Sequence, residues 1–171
     1  ITAEPEASNV LPKTLLPKNE LNELLKLPKP ELVEIIDLLS MYDLADEVRH
    51  IVDRKLLQMI VGRLPQKMQR FLRSCMSQKA KLALAPMHIE QIYKDEKQFQ
   101  VKMHKRGLQR LSIALSGQSI DFIWHLLHTL DTGRSKLLAQ QIQSEAQPTT
   151  PAAKIQLMLV LQYINDMRKE P

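Results

Sequence analysis

Apolar residues recur at every third or fourth position over most of this chain, the spacing that places them on one face of an α-helix. The segment "PELVEIIDLLSMY" shows the pattern, with Leu32, Ile36 and Leu39 on a common face. Runs of β-branched residues, which favour strands, are scarce. The pattern therefore predicts an all-α chain of about eight to ten short helices.

Short polar residues before these apolar runs predict where the helices begin, because such side chains accept hydrogen bonds from free backbone N–H groups. Asn19, Asp43 and Ser119 are the predicted caps, and Asp53 opens a further helix if the run after Asp43 is interrupted. Gly107 either ends a helix or is tolerated inside one, at a cost of roughly 1 kcal/mol relative to Ala.

Breaks in the pattern predict two helical modules, armadillo-like or bundle-like, with short connections. Residues 1–18 begin rich in Pro, Ser and acids, and we expect a flexible tail or linker there. We predict an N-terminal module over residues 19–85, a hinge or connector over 86–96, and a C-terminal module over 97–171.

The composition excludes several classes of protein. A single cysteine, Cys75, cannot form a disulfide within the chain, and its place on an apolar stripe favours a core position. No run of 18 apolar residues predicts a membrane span. The first residues carry acids where a signal peptide carries cations. Because the chain begins with Ile, we expect it to be a piece of a longer protein.

The net charge of +5 hides a strong asymmetry along the chain. Residues 1–53 hold five Lys or Arg against eleven Asp or Glu, and residues 54–171 hold nineteen against eight. Two stretches have no acid at all: Arg54 to Ile89, with eight cations, and Lys97 to Ile120, with five. Such polarity governs encounters with charged partners.

The stretch "LDTGRSKLL", Leu130 to Leu138, contains the small residues and cations of a phosphate-binding loop. A phosphate loop needs two glycines around four residues, then Lys and Ser or Thr, after a strand. Here Gly133 stands alone and an apolar helix precedes it. A helix capped by Asp131 or Thr132 is therefore the favoured interpretation, with Arg134 paired to Asp131 or to another molecule.

We expect neither a metal site nor catalysis. His125 and His128 share a helical face with Asp121, but no further ligand with suitable spacing is near. No arrangement of a nucleophile with a histidine and a carboxylate can be recognised by spacing. The sequence therefore predicts no cofactor, no metal and no enzymatic activity.

The acid-free stretches are the predicted contact surfaces for a protein partner with an acidic surface. The predicted contact residues are Arg63, Lys67, Arg70, Arg73, Lys105, Arg106, Arg110 and Arg134. Nucleic acid is the alternative partner, although this surface lacks the aromatic residues on which bases stack.

Residues 30–115 resemble the FliG-type flagellar motor switch proteins. "LLSMYDLADEVRHIVDRKLLQMIVGRL" is similar to the run of short helices before that family's charged helix. "CMSQKAKLAL" is similar to the family's Asn-Met-Ser-(Lys/Gln)-Arg-Ala-Ala turn, with Cys75 to Ala80 in those places. The family's charged helix mixes acids with cations, whereas residues 66–81 carry only cations, and its aromatic hinge motif is not recognisable here.

The resemblance implies an all-α scaffold of armadillo-like modules at the cytoplasmic face of a bacterial membrane-embedded base. Because the charges differ from those of a motility protein, we expect a type III secretion or flagellar-type apparatus and a non-enzymatic adaptor function. The location would be cytoplasmic or peripheral to the inner membrane, with membrane contact only indirect or through a missing segment. Acidic and basic modules would stack between subunits as a homo-oligomer or dock on an acidic neighbour.

Overall fold

The computed structural model of the chain describes residues 10–78, 82, 84–144 and 151–169, and these residues form helices without any strand. The α-helices in these ranges are α1 (Lys29–Leu39), α2 (Met41–Val48), α3 (Arg54–Val61), α4 (Gln66–Met76), α5 (Ile89–Ile92), α6 (Glu96–Leu115), α7 (Ile120–Thr129), α8 (Thr132–Ser144) and α9 (Pro151–Lys169). Two 3₁₀ helices, Lys13–Leu15 and Glu20–Lys26, precede them. The predicted all-α fold is confirmed. No helix in these ranges is both long enough and apolar enough to cross a membrane.

The chain divides into two compact units that do not follow its order. Unit 1 consists of Ile1–Ile35 together with Leu108–Pro171, and unit 2 consists of Ile36–Gly107. The sequence pattern is local, whereas this division depends on contacts between distant parts of the chain. It therefore differs from the modules predicted over residues 19–85 and 97–171.

The predicted connector, residues 86–96, lies inside unit 2 and contains α5. Two of its apolar residues, Met87 and Ile89, are 2% and 0% exposed. These two side chains belong to the core of unit 2, whereas Pro86, His88 and Glu90 beside them are exposed.

Unit 1 has its core around the 3₁₀ helix Glu20–Lys26, which packs against α7 and α9. The leucines of this helix, Leu21, Leu24 and Leu25, are buried. α9 is buried along one face, where Leu157 and Val160 lie one turn apart and are fully enclosed.

The described part of the predicted tail is tied to unit 1 by hydrogen bonds. The Leu11 N–H donates to Asp121 Oδ1 at 3.2 Å, and the Lys13 ammonium donates to the Leu25 carbonyl at 2.9 Å. His125 Nε2 lies 2.6 Å from the Leu11 carbonyl oxygen. These bonds join Leu11 and Lys13, two residues of the predicted tail, to unit 1.

Unit 2 is organised around the packing of α2 on α4. The rings of Tyr42 and Phe71 meet edge to face with centroids 5.6 Å apart. Leu72 and Cys75 are each 2% exposed, which confirms the core position predicted for the cysteine. The apolar stripe of α4 thus supplies much of the core of unit 2.

Two predicted helix caps are confirmed. Asn19 accepts a hydrogen bond from the Leu21 N–H at 3.1 Å and begins a 3₁₀ helix. Ser119 accepts one from the Phe122 N–H at 3.1 Å and begins α7. In both places a polar side chain accepts a hydrogen bond from a first-turn backbone N–H group that has no acceptor within the helix.

The cap predicted at Asp43 is wrong, and the break predicted at Asp53 is confirmed. Asp43 lies inside α2, which follows Ser40, and is only 4% exposed. Asp53 caps α3 by accepting hydrogen bonds from Lys55 N–H at 2.9 Å and Leu56 N–H at 3.4 Å. Short polar residues favour caps in general, but Asp43 has a charged partner in the folded chain that sequence spacing does not show.

Gly107 lies inside α6 and is buried, so the helix does not end there. A Cβ added at this position would lie 1.9 Å from the Ile36 carbonyl oxygen, nearer than real Cβ atoms come to other atoms. Glycine is therefore required where α6 approaches the backbone of α1.

Candidate functional site

Two of the predicted contact residues, Arg70 and Arg73, are exposed on α4, on the side opposite its buried Phe71 and Cys75. Lys67 lies at the margin of this side and is half-buried. α4 contains no acidic residue, so its solvent side carries positive charge alone. We call Arg70 and Arg73 the basic face of α4.

Arg63, just beyond α3, is engaged within unit 2. Its guanidinium donates to the Lys94 carbonyl at 3.2 Å and lies 3.8 Å from Glu96 Oε2. The side chain remains 34% exposed. Its charge is therefore partly compensated before any partner approaches.

Lys105 is exposed on α6, whereas its neighbour Arg106 is not available to a partner. The Arg106 guanidinium donates to Asp43 Oδ1 at 2.7 Å and to the Ala85 carbonyl. The side chains of Arg106 and Asp43 are 10% and 4% exposed. The predicted contact role of Arg106 is thus corrected: it is one half of a largely buried ion pair.

Arg110 also differs from the prediction. It is 2% exposed in unit 1, where its guanidinium donates to Gln156 Oε1 at 2.5 Å. A side chain enclosed in this way cannot meet a second molecule. The row of cations on α6 was visible in the sequence, but the helices that cover part of it were not.

Arg134 has its partner inside unit 1. It bonds Asp131 Oδ1 at 2.7 Å through its guanidinium and Asp131 Oδ2 at 3.3 Å through its backbone N–H. This hydrogen bonding lowers the pKa of Asp131 from 3.8 to about 2. Lys29 lies 3.6 Å from the same carboxylate. Of the two predicted caps of α8, the bonding thus selects Asp131.

A cleft that the sequence analysis did not identify opens beside α2. Its volume is about 560 Å³. Four polar residues at helical spacing form one wall: Asp43, Asp46, Glu47 and His50. Its apolar lining is Ile51, Val52, Leu56, Leu84, Ala85 and Pro86, and its remaining polar residues are Asp53, His88, Glu90 and Arg106. With five carboxylates against one arginine, we call it the acidic cleft.

Glu47 fixes the opposite wall of the acidic cleft to α2. Its carboxylate accepts hydrogen bonds from the Met87 and Ile89 N–H groups, each at 3.0 Å. Between them His88 adopts a left-handed conformation with φ 57°. That conformation costs a non-glycine residue roughly 1–2 kcal/mol, which the two charge-assisted bonds offset.

The carboxylates at the rim of the cleft are open to solvent. Asp53 is an exposed residue at the start of α3, and the Glu90 side chain is 48% exposed, 3.8 Å from His88 Nδ1. Asp53 also accepts the capping hydrogen bonds of α3, and the exposed cations Arg54 and Lys55 follow it in the chain. Asp43 and Glu47 are held by bonds within unit 2 and maintain the shape of the cleft.

Arg49 joins the wall of the cleft to the end of α4. Its guanidinium donates to the carbonyls of Cys75 at 2.8 Å and Met76 at 3.2 Å, and to that of Gln78. It also pairs with Asp46. The last carbonyls of a helix lack partners within it, so this arginine caps α4.

The predicted histidine pair packs with the single tryptophan. The His128 ring stacks on Trp124 with centroids 3.9 Å apart, and the His125 ring meets Trp124 edge to face at 5.1 Å. In the part of the chain that the structure describes, no three His, Cys, Asp or Glu residues are grouped to hold a metal ion. The geometry of these histidines is that of aromatic packing.

The acidic cleft and the basic face of α4 are separate surfaces of unit 2. Asp46 and Glu47 line the cleft, and neither Arg70 nor Arg73 is among its lining residues. α4 directs these two cations away from its buried residues Phe71, Leu72 and Cys75. The two charged surfaces of unit 2 therefore share no residue.

Comparison of the chain with models of protein families, with curated protein sequences and with solved structures found no match in any of the three.

Proposed function

We propose that this protein is a non-enzymatic adaptor that binds other proteins through the two charged surfaces of unit 2. The observation that carries the proposal is the presence of two separate charged surfaces on unit 2, the acidic cleft beside α2 and the basic face of α4. A protein with an acidic surface would dock on the basic face of α4. A cationic surface would dock on the acidic cleft.

The engagement of the deeper carboxylates supports a binding role over a catalytic one. Asp43 bonds the Arg106 guanidinium, and Glu47 accepts two backbone N–H groups. A general acid or base must be able to reach a substrate proton. These groups are instead committed to holding the walls of the cleft in place.

Apolar side chains near the charges would supply most of the affinity. Val52 at the cleft is 95% exposed, Met59 on α3 is 52% exposed, and Met76 at the end of α4 is 38% exposed. An exposed ion pair contributes only about 0.2–1 kcal/mol, so charges chiefly set the approach and orientation of a partner. Methionine is enriched at protein interfaces.

The setting that we propose, the cytoplasmic face of a flagellar or type III secretion base, rests on the resemblance of residues 30–115 alone. An adaptor in that place would meet the membrane only indirectly, through its partners. The proposed contacts do not depend on this setting, because they follow from the charged surfaces themselves.

The test is affinity capture from a nuclease-treated bacterial lysate with matched variants. The variant Arg70→Gln, Arg73→Gln removes two charges from α4, and Lys26→Gln, Lys136→Gln removes two from unit 1. We expect wild type and the unit 1 variant to retain the same acidic proteins, and the α4 variant to lose them. Equal capture by all three would show that α4 is not a docking surface.

Nucleic acid is the second candidate, favoured by the absence of acids from residue 54 to residue 89. Binding of a labelled DNA duplex over a series of salt concentrations distinguishes it. An affinity that falls steeply with salt, by a slope near −0.9 per phosphate contacted, would support nucleic-acid binding. We expect weak binding instead, because no aromatic residue lies on α4 beyond the buried Phe71.

A further inference from the structure

We propose that the acidic cleft is a binding site for an arginine side chain of a partner protein. The guanidinium group of that arginine would lie among the carboxylates of the cleft, and its methylene groups would lie along the apolar lining. This inference rests on the proposed function and names the chemistry that the cleft recognises. The cationic group that docks there is one long side chain, carried on an exposed segment of the partner.

The cleft retains negative charge after the ion pairs within unit 2 are counted. Asp43, one of its five carboxylates, pairs with Arg106. A second, Asp46, pairs with Arg49. The remaining three have no Lys or Arg partner in the described part of the chain: Glu47, Asp53 and Glu90. A cation that enters the cleft therefore meets carboxylates without displacing an arginine of the chain.

Hydrogen bonds from the backbone leave the charge of these carboxylates in place. Glu47 and Asp53 each accept two backbone N–H groups. A carboxylate has about four acceptor positions, so each of the two can still accept a hydrogen bond from a guanidinium group. Arg54 and Lys55, which follow Asp53, are exposed but do not line the cleft. The lining therefore stays negative.

The size and the lining of the cleft fit one long side chain. Its volume of about 560 Å³ lies within the range of roughly 300–1,000 Å³ that is usual for small-molecule sites. Ile51, Leu56 and Pro86 place apolar surface beside the carboxylates. Arginine and lysine bury their methylene groups on such surface while the charged end stays among polar groups. Val52, which is 95% exposed, is available to an apolar neighbour of the arginine.

The chain's own Arg106 shows which kind of cation this lining accepts. Its side chain lines the cleft and is 10% exposed. Its guanidinium donates to Asp43 Oδ1 at 2.7 Å and to the Ala85 carbonyl. A guanidinium group has five N–H donors and is less strongly hydrated than an ammonium group, so it loses less on entering a partly apolar site. We therefore expect the cleft to prefer arginine to lysine.

Contacts within unit 2 shape the cleft before a partner arrives. Glu47 holds the N–H groups of Met87 and Ile89, each at 3.0 Å. Arg106 holds the carbonyl of Ala85 on the same segment. A site that is formed in advance avoids the cost of ordering its walls, which matters when a single side chain supplies the contacts.

NMR titration of the ¹⁵N-labelled chain with side-chain analogues tests the proposal. n-Propylguanidinium reproduces arginine from Cβ outward, n-butylammonium reproduces lysine, and n-propylurea replaces the guanidinium by a neutral group of similar shape. For n-propylguanidinium we expect saturable shifts of backbone amide signals confined to residues 50–56 and 84–90, with a Kd on the order of 1 mM. n-Butylammonium should bind about threefold more weakly and n-propylurea at least about tenfold more weakly.

Matched variants test whether the carboxylates carry this binding. The cleft variant, Asp53→Ser with Glu90→Gln, removes two charges while Ser keeps the cap of α3. The control, Glu23→Gln with Asp166→Asn, removes two charges from unit 1. At about 0.05 M salt we expect the cleft variant to bind n-propylguanidinium about fivefold more weakly and the control to bind it as wild type does. Circular dichroism verifies that both variants fold.

Several results would overturn the inference. These are shifts that spread over the surface without saturation, equal binding of n-propylguanidinium and n-propylurea, and equal binding by wild type and the cleft variant. Binding of n-butylammonium as tight as that of n-propylguanidinium would overturn the preference for arginine.

The outcome for the adaptor function is separate. Capture of acidic proteins that depends on Arg70 and Arg73, together with a cleft that does not bind n-propylguanidinium, would refute the arginine site and leave the adaptor function standing. A cleft that binds n-propylguanidinium as expected, together with capture that does not depend on Arg70 and Arg73, would refute the docking proposed on α4 and leave the arginine site standing.

Discussion

Gly107→Ala is the substitution for which the structure makes the sharpest prediction. The new Cβ would lie 1.9 Å from the carbonyl oxygen and 2.7 Å from the carbonyl carbon of Ile36. Real Cβ atoms essentially never come within 3.0 Å of another heavy atom, so the first contact must open by about 1.1 Å. Both crowded atoms belong to the backbone, and relief therefore requires α1 and α6 to move apart.

The expected cost follows from two opposing terms. Overpacking of a core costs typically 1–3 kcal/mol, and the shift of two backbones places this site at the upper end of that range. Replacing glycine by alanine inside a helix gains roughly 1 kcal/mol. We therefore expect a net loss of about 2 kcal/mol in the free energy of unfolding. For a chain of this size that is a fall of about 4–8 °C in Tm.

Gly133→Ala is the matched control. Its Cβ would meet only Asp131 Oδ2, at the ordinary contact distance of 3.5 Å. We expect this variant to be as stable as wild type, or more stable by up to about 1 kcal/mol. Urea and thermal unfolding followed by far-ultraviolet circular dichroism measure both variants. If Gly107→Ala is as stable as wild type, α1 and α6 do not approach closely in solution.

Two further predictions concern charged groups. Asp131→Asn should lower stability by about 0.5–1 kcal/mol near neutral pH, because the carboxylate is partly exposed and its ion pairs are screened. Since folding lowers the pKa of Asp131 from 3.8 to about 2, this difference in stability should persist above about pH 4 and vanish as the pH falls towards 2. Urea unfolding of both proteins at several pH values measures the difference. A difference that does not depend on pH would refute the role given to the Asp131 carboxylate. Arg106→Met should lower stability by about 3 kcal/mol, because Asp43 is left charged and buried, whereas the exposed Lys105→Met should change it by less than about 0.5 kcal/mol. Adding Asp43→Leu should restore part of the loss in a double-mutant cycle, and additive losses would contradict the ion pair.

The sequence allowed the helices to be predicted well because their signals are local. The apolar stripe of α4 and the caps at Asn19, Asp53 and Ser119 depend on residues within one or two turns. The cap predicted at Asp43 was wrong because the partner of this residue, Arg106, lies far along the chain. Only the folded chain places that guanidinium beside it.

Only part of the candidate site could be predicted from the sequence. The cations of α4 were recognised, and Arg70 and Arg73 are exposed as a contact surface requires. Arg110 also lies in a stretch that contains cations and no acid, yet it is buried and donates a hydrogen bond to Gln156. The acidic cleft was missed because its walls come from α2, from residues 84–90 and from α6. The spacing of Asp43, Asp46 and Glu47 was the one local signal of it.

The route of the chain through the two units has a consequence for its synthesis. Ile36 and Gly107, the first and last residues of unit 2, are in contact, so unit 2 is one continuous segment whose residues are all synthesised before residue 108. The core of unit 1 cannot be completed until its second segment, which supplies α7 and α9, has been synthesised. At 5–20 residues per second this delay is on the order of seconds. During that time Leu21, Leu24 and Leu25 lack the helices that bury them, and the nascent chain exposes an apolar segment that chaperones can bind.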